Sequence, residues 1–191
     1  MTNRVAEFTV LRQTIAARGT ARVLLFASSV AVWATLATVH ALFSDLPLLS
    51  LIPLCMLGAG YEAVWALHVG VERIGRFIQV AHETEPDQAS WETTVMRLGP
   101  GLPGGSVNPL FSLIFGTACL VNLGAAFAGE PLPVEVLILF AAHAVFLVRL
   151  AQTRILAGRQ RQADLAAFAT ARGGFTVAGP TNGTSSEAEK S

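Results

Sequence analysis

Residues 23–43 read VLLFASSVAVWATLATVHALF, twenty-one positions without a formal charge. At 1.5 Å per helical residue such a run reaches across the ~30 Å hydrocarbon layer of a bilayer. Three further runs have the same character. Residues 46–71 carry only Glu62, residues 109–128 carry no charge, and residues 134–151 carry Glu135 and Arg149 near their two ends. A terminal arginine can snorkel to the interface and lengthen the shortest run. The expected fold is therefore an all-α membrane protein, a four-helix transmembrane bundle with short cytoplasmic amphipathic helices.

The composition agrees. Hydrophobic residues make up 52% of the 191-residue chain and charged residues 14%, against about 25% charged in a soluble domain. This excludes a disordered chain, a nucleic-acid binder with a broad basic surface and, with two cysteines, a disulfide scaffold.

The cations set the orientation. Arg4, Arg12, Arg18 and Arg22 precede the first run, and Arg73, Arg76 and Arg97 follow the second. Arg149, Arg154, Arg159, Arg161, Arg172 and Lys190 end or follow the fourth, while the connections around Asp45 and Glu130 have none. By the positive-inside rule both termini and the middle loop are cytoplasmic. A cleaved signal peptide fits less well, because the first apolar run is too long and about twenty residues precede it. Arginine in preference to lysine, with abundant Ala and Gly, points to a GC-rich bacterial genome and hence to the inner membrane.

The domain plan reads as an interfacial helix over 1–20 ending near Gly19, a four-span unit over 21–157 with a loop at 82–108, a short helix over 158–172 and a disordered tail over 173–191. Ser44 and Asp45 before Pro47, Asn108 before Pro109, and the turn at 129–133 are helix-start signals. The second helix is expected to continue to His82, with Val71, Ile74, Ile78 and Ala81 on one face and Glu72 four residues before Arg76. That apolar stripe requires cover from the N-terminal helix, from the 164–171 segment or from another protein.

Polar groups inside hydrocarbon are costly and mark candidate sites. Glu62 lies roughly 14 Å from the inner end of its run, His143 sits near the middle of the fourth, and Asn122 lies about a turn further outward. Glu62 shares a helical face with Cys55, Gly58, Ala59 and Ala66, and Asn122 shares one with Ala118 and Ala125, which predicts that both turn inward. The expectation is an intramembrane polar cluster of Glu62, His143 and Asn122. It reads as a structural clamp ahead of a proton relay, because few polar groups connect it to either surface. The densest polar stretch, with Tyr61, Trp65, His68, Glu72, Arg73 and Arg76, is a possible inner-side site.

Other chemistries fail on spacing. His40, His68, His82 and His143 lie at four different depths, against bis-histidine haem. Cys55 and Cys119 are not a CxxC pair. His82-Glu83 opens a zinc-protease pattern in which Pro86 replaces the second histidine, and 99–106 has phosphate-loop glycines with Gly105 in place of lysine. The acceptor-like Asn182-Gly183-Thr184 falls on a cytoplasmic tail. With no complete catalytic set, no catalytic residue, metal or cofactor is expected. The expected function is that of a non-enzymatic accessory, assembly or structural subunit of a membrane complex. Its partners would be the bilayer and either a membrane protein or further copies of itself, with no nucleic acid. The alternative is a small oligomeric proton-linked channel or transporter using Glu62 and His143.

Overall fold

A computed structural model describes residues 2–83, 91, 93–94 and 109–177. Among them the chain is helical and contains no strand. Helix α1 spans Thr2–Phe43, α2 Leu51–Ala81, α3 Pro109–Ala126 and α4 Pro133–Val177, with 3₁₀ turns at Pro47–Ser50 and Phe127–Gly129. All four are long and apolar enough to cross a membrane. Most of the 82–108 loop, including its glycine-rich part, and residues 178–191 lie outside the described residues.

Helix α2 is the central element and touches the other three. It supplies Leu54, Leu57, Tyr61 and Val64 to a core completed by Phe115, Ala118 and Cys119 of α3 and Phe146 of α4. Edge-to-face rings run through this core, with Tyr61 5.3 Å from Phe115 and 6.0 Å from Phe146, and Phe26 of α1 4.7 Å from Phe111. Such pairs add about 0.5–1.5 kcal/mol each beyond burial. The outside is also apolar: Leu24, Leu113, Leu137 and Val145 are each more than 60% exposed. The most apolar window of α1 has no buried residue. A continuous apolar exterior of this kind is suited to lipid and not to water.

One close contact and one ordinary packing contact mark where α2 meets α1 and α4. A Cβ placed on Gly60 would collide with the Ser29 side chain of α1, so the backbones approach closely at that crossing. A Cβ placed on Gly58 would rest 3.8 Å from Phe146 of α4. α2 and α4 run in the same direction, and paired positions differ by 87 residues at Glu62–Arg149 and 88 at Arg76–Asp164.

The helices extend beyond the apolar runs. α1 continues through Gly19 with no break, and α4 runs on through residues 152–177. The expected break at Gly19 does not form: one glycine costs a helix only about 1 kcal/mol, and α1 stays packed against α2 on both sides of it. Near the start of α1, Phe8 sits 5.7 Å from His82 at the end of α2; further on, Arg22 bonds His68. The last turn of α2 is held from two sides. Arg4 of α1 donates to the Ala81 carbonyl at 3.2 Å, and Arg172 of α4 donates to the Val80 carbonyl. Cations at a helix C-terminus satisfy orphan carbonyls and complement the dipole. The apolar stripe after the second run is therefore covered within the chain, and Ile78 is fully buried.

The connections use local chemistry. Pro47 opens the 3₁₀ turn, and the Ser44 hydroxyl accepts from Leu46 N–H at 3.2 Å. Before α4, Glu135 reaches back to accept from Leu132 N–H at 2.8 Å, half of a capping box. Glu130 adopts a left-handed φ of 50° in the turn before it.

Candidate functional site

The predicted cluster of Glu62, His143 and Asn122 divides into two sites. Asn122 and His143 meet in the buried interior, each 1% exposed. His143 Nδ1–H donates to the Leu139 carbonyl at 2.7 Å, one turn back on α4. That fixes the tautomer and leaves Nε2 as an acceptor for the Asn122 amide at 3.1 Å. The same amide nitrogen donates to the Ser50 carbonyl at 2.9 Å, tying α3 to the turn before α2. The arrangement joins three segments by one side chain. The Ser50 hydroxyl and the Asn122 carbonyl oxygen, both buried, have no partner.

Glu62 is not part of this cluster, which corrects the sequence expectation. Its carboxylate accepts two hydrogen bonds from Arg149, from Nε at 2.6 Å and from Nη2 at 2.9 Å. The cause is the register of α2 against α4. The offset of 88 residues sets His143 level with Cys55, roughly 10 Å along the axis from Glu62 at 1.5 Å per residue. Leu57 and Phe146 fill the layer between. The rotation of α2 differs from expectation too. The expected inward stripe of Cys55, Ala59, Glu62 and Ala66 lies on the outside, because the large residues Leu54, Leu57, Tyr61 and Val64 take the core. The Glu62 and Arg149 side chains are 46% and 42% exposed.

The inner-side set also divides. Tyr61, Trp65 and His68 line a cleft between α1, α2 and α3 together with Arg22, Phe111 and Ser112. Arg22 donates from Nη1 to His68 Nδ1 at 2.9 Å, so the His68 ring is neutral and keeps its proton on Nε2. Tyr61 donates to the Thr153 hydroxyl, which donates to the Leu150 carbonyl at 2.9 Å. Glu72, Arg73 and Arg76 belong instead to an ion cluster with Asp164 of α4. Arg76, 5% exposed, donates to Asp164 at 2.7 Å and to Glu72 at 3.3 Å, and Arg73 Nε lies 3.6 Å from Asp164. Sequence reasoning passed over Arg22, Arg149 and Asp164. Arg149 was visible as an isolated charge in an apolar run, but the partner of such a charge depends on packing.

Among the described residues no three His, Cys, Asp or Glu side chains converge on a point where a metal ion would fit. Cys55 is exposed and Cys119 is buried, and both are free thiols. Neither a family model nor a curated protein nor a solved structure matches the chain.

Proposed function

We propose that this chain is a non-enzymatic multi-pass membrane protein that serves as an accessory, assembly or structural subunit of a membrane complex. Its arginine-rich end, which carries both termini, faces the cytoplasm of a bacterial cell from the inner membrane. The observation that carries the reading is the Glu62–Arg149 ion pair on the outer surface of the bundle. Counting six residues from His68, which lies beside Arg22 at the end of the charge-free run, the pair is roughly 9 Å inside the inner edge of the hydrocarbon.

A charged side chain facing lipid costs about 2.5–3.5 kcal/mol at the centre of a bilayer and less at this shallower depth. Mutual pairing lowers that cost, yet both side chains remain nearly half exposed. A partner helix laid across α2 and α4 removes the exposure and supplies further hydrogen bonds. Cys55, Ala59 and Ala66, exposed on the same face as Glu62, allow such a helix to approach closely. The apolar stripe near Ile78 gives this reading no support, since α1 and α4 already cover it. The alternative, a proton-linked channel through Glu62 and His143, needs a polar path where Leu57 and Phe146 stand.

The test is a photo-crosslinking amino acid placed at Ala59 or Ala66, with the α3 surface position Leu113 as control, followed by purification in mild detergent at native expression level. The expected result is a protein adduct of fixed stoichiometry at 59 and 66, absent at 113 and reduced in Glu62→Leu. Adducts only with lipid at all three positions would sink the subunit reading. So would proton flux in liposomes containing the chain alone that Glu62→Gln abolishes.

A further inference from the structure

Among the described residues, the cleft between α1, α2 and α3 holds a positive charge that no carboxylate balances. Arg22 carries a guanidinium in a partly buried position, with the Phe111 ring 5.5 Å from its central carbon and His68 as its hydrogen-bond acceptor. Its Nε–H is buried without a partner, and no carboxylate among the described residues pairs with it. Glu72, the carboxylate one turn along α2 from His68, is engaged by Arg76 at 3.3 Å. A guanidinium left without an anion in partly desolvated surroundings is unfavourable, so the site calls for one.

The hydrogen-bonding groups point the same way. Because His68 accepts at Nδ1, its remaining ring nitrogen is a donor. Arg22 offers only donors. The walls are apolar and aromatic, from Trp65, whose ring lies 5.5 Å from that of His68, to Phe111. The cleft is open on one side. Arg22 is the last cation before the twenty-one-residue charge-free run, so in a bilayer it stands at headgroup depth. Donors and positive charge at that level, with an apolar slot beside them, match a phosphate group joined to an acyl chain.

We propose that this cleft binds the phosphate headgroup of an anionic phospholipid, with Arg22 as its charge partner, His68 as a second donor and Trp65 and Phe111 flanking the first carbons of the chain. The inference rests on the bilayer reading of the four helices but not on the existence of a protein partner.

Trp65 provides the probe. The chain has three tryptophans, so the full-length Trp33→Phe, Trp91→Phe protein reports from Trp65 alone. It is reconstituted in vesicles containing brominated phosphatidylglycerol or brominated phosphatidylcholine, and quenching is followed against mole fraction. The anionic lipid should quench at about fivefold lower mole fraction, the factor expected of one arginine at an anionic surface. Arg22→Gln should erase the preference, Arg22→Lys should keep most of it, and Arg12→Gln, on the same helix but distant from the cleft, should leave it intact. Helix content and monodisperse elution establish that each variant is folded, and Arg22→Lys carries the test if Arg22→Gln is not. Equal quenching by the two lipids, or a preference that survives Arg22→Gln, overturns the proposal. Inorganic phosphate titrated in lipid-free detergent distinguishes the other source of the same chemistry. A saturable change in Trp65 emission that Arg22→Gln removes would assign the site to free phosphate and overturn the headgroup assignment. No change there, together with the lipid preference, sustains it.

Discussion

Replacing Asp164 by alanine removes the main anion from a buried arginine. Arg76 is 5% exposed, and the Asp164 side chain that accepts from it at 2.7 Å is 15% exposed. Breaking a buried pair by removing one partner costs about 3–5 kcal/mol, because an uncompensated charge stays behind. Glu72 remains at 3.3 Å and compensates in part, so the lower end applies, about 3 kcal/mol. At roughly 1.4 kcal/mol per factor of ten, that is an increase of about two powers of ten in the opening of the α4 extension. Amide hydrogen exchange of peptides covering residues 159–172 in nanodiscs reads this directly, since local opening governs exchange there. Alanine is the better helix former by several tenths of a kcal/mol, so intrinsic propensity acts in the opposite direction. The double variant Arg76→Leu, Asp164→Leu removes both charges together and should return exchange to within about 1 kcal/mol of the parent protein. Unchanged protection in Asp164→Ala would refute the argument. So would a double variant as labile as the single one.

Four further outcomes are expected. Gly60→Ala should lower thermal stability in detergent by about 1–3 kcal/mol through overpacking against Ser29, and Ser29→Gly should restore part of it. Gly70→Ala should be nearly neutral by the same assay, because the atom it meets is the end of the flexible Arg18 side chain. Asn122→Leu should cost about 1–3 kcal/mol by leaving His143 Nε2 and the Ser50 carbonyl without their donor; thermal unfolding of the variant beside Asn122→Ala, which adds a cavity, separates lost hydrogen bonding from lost packing. Tyr61→Phe should cost about 0.5–1.5 kcal/mol, the net worth of its bond to Thr153, seen as a shift of the melting midpoint with no change in helix content.

The sequence by itself determined the number of long apolar helices, the ends at which they turn, and the gathering of arginines toward one end. These properties are local: hydrocarbon thickness sets a length, and a run of residues either meets it or does not. The i,i+4 contact of Glu72 with Arg76 was legible for the same reason, as was the burial of Asn122 among small residues. Only tertiary structure decided which polar group meets which. Glu62 and His143 stand at similar depths when each helix is counted alone, but the close approach of Gly60 to Ser29 and the packing of Leu54, Leu57, Tyr61 and Val64 into the core set the height and rotation of α2. That packing sends Glu62 outward to Arg149 and leaves His143 inside with Asn122. The cleft around Arg22 and His68 has the same origin, since its walls come from three helices whose relative rotation no single run of residues encodes.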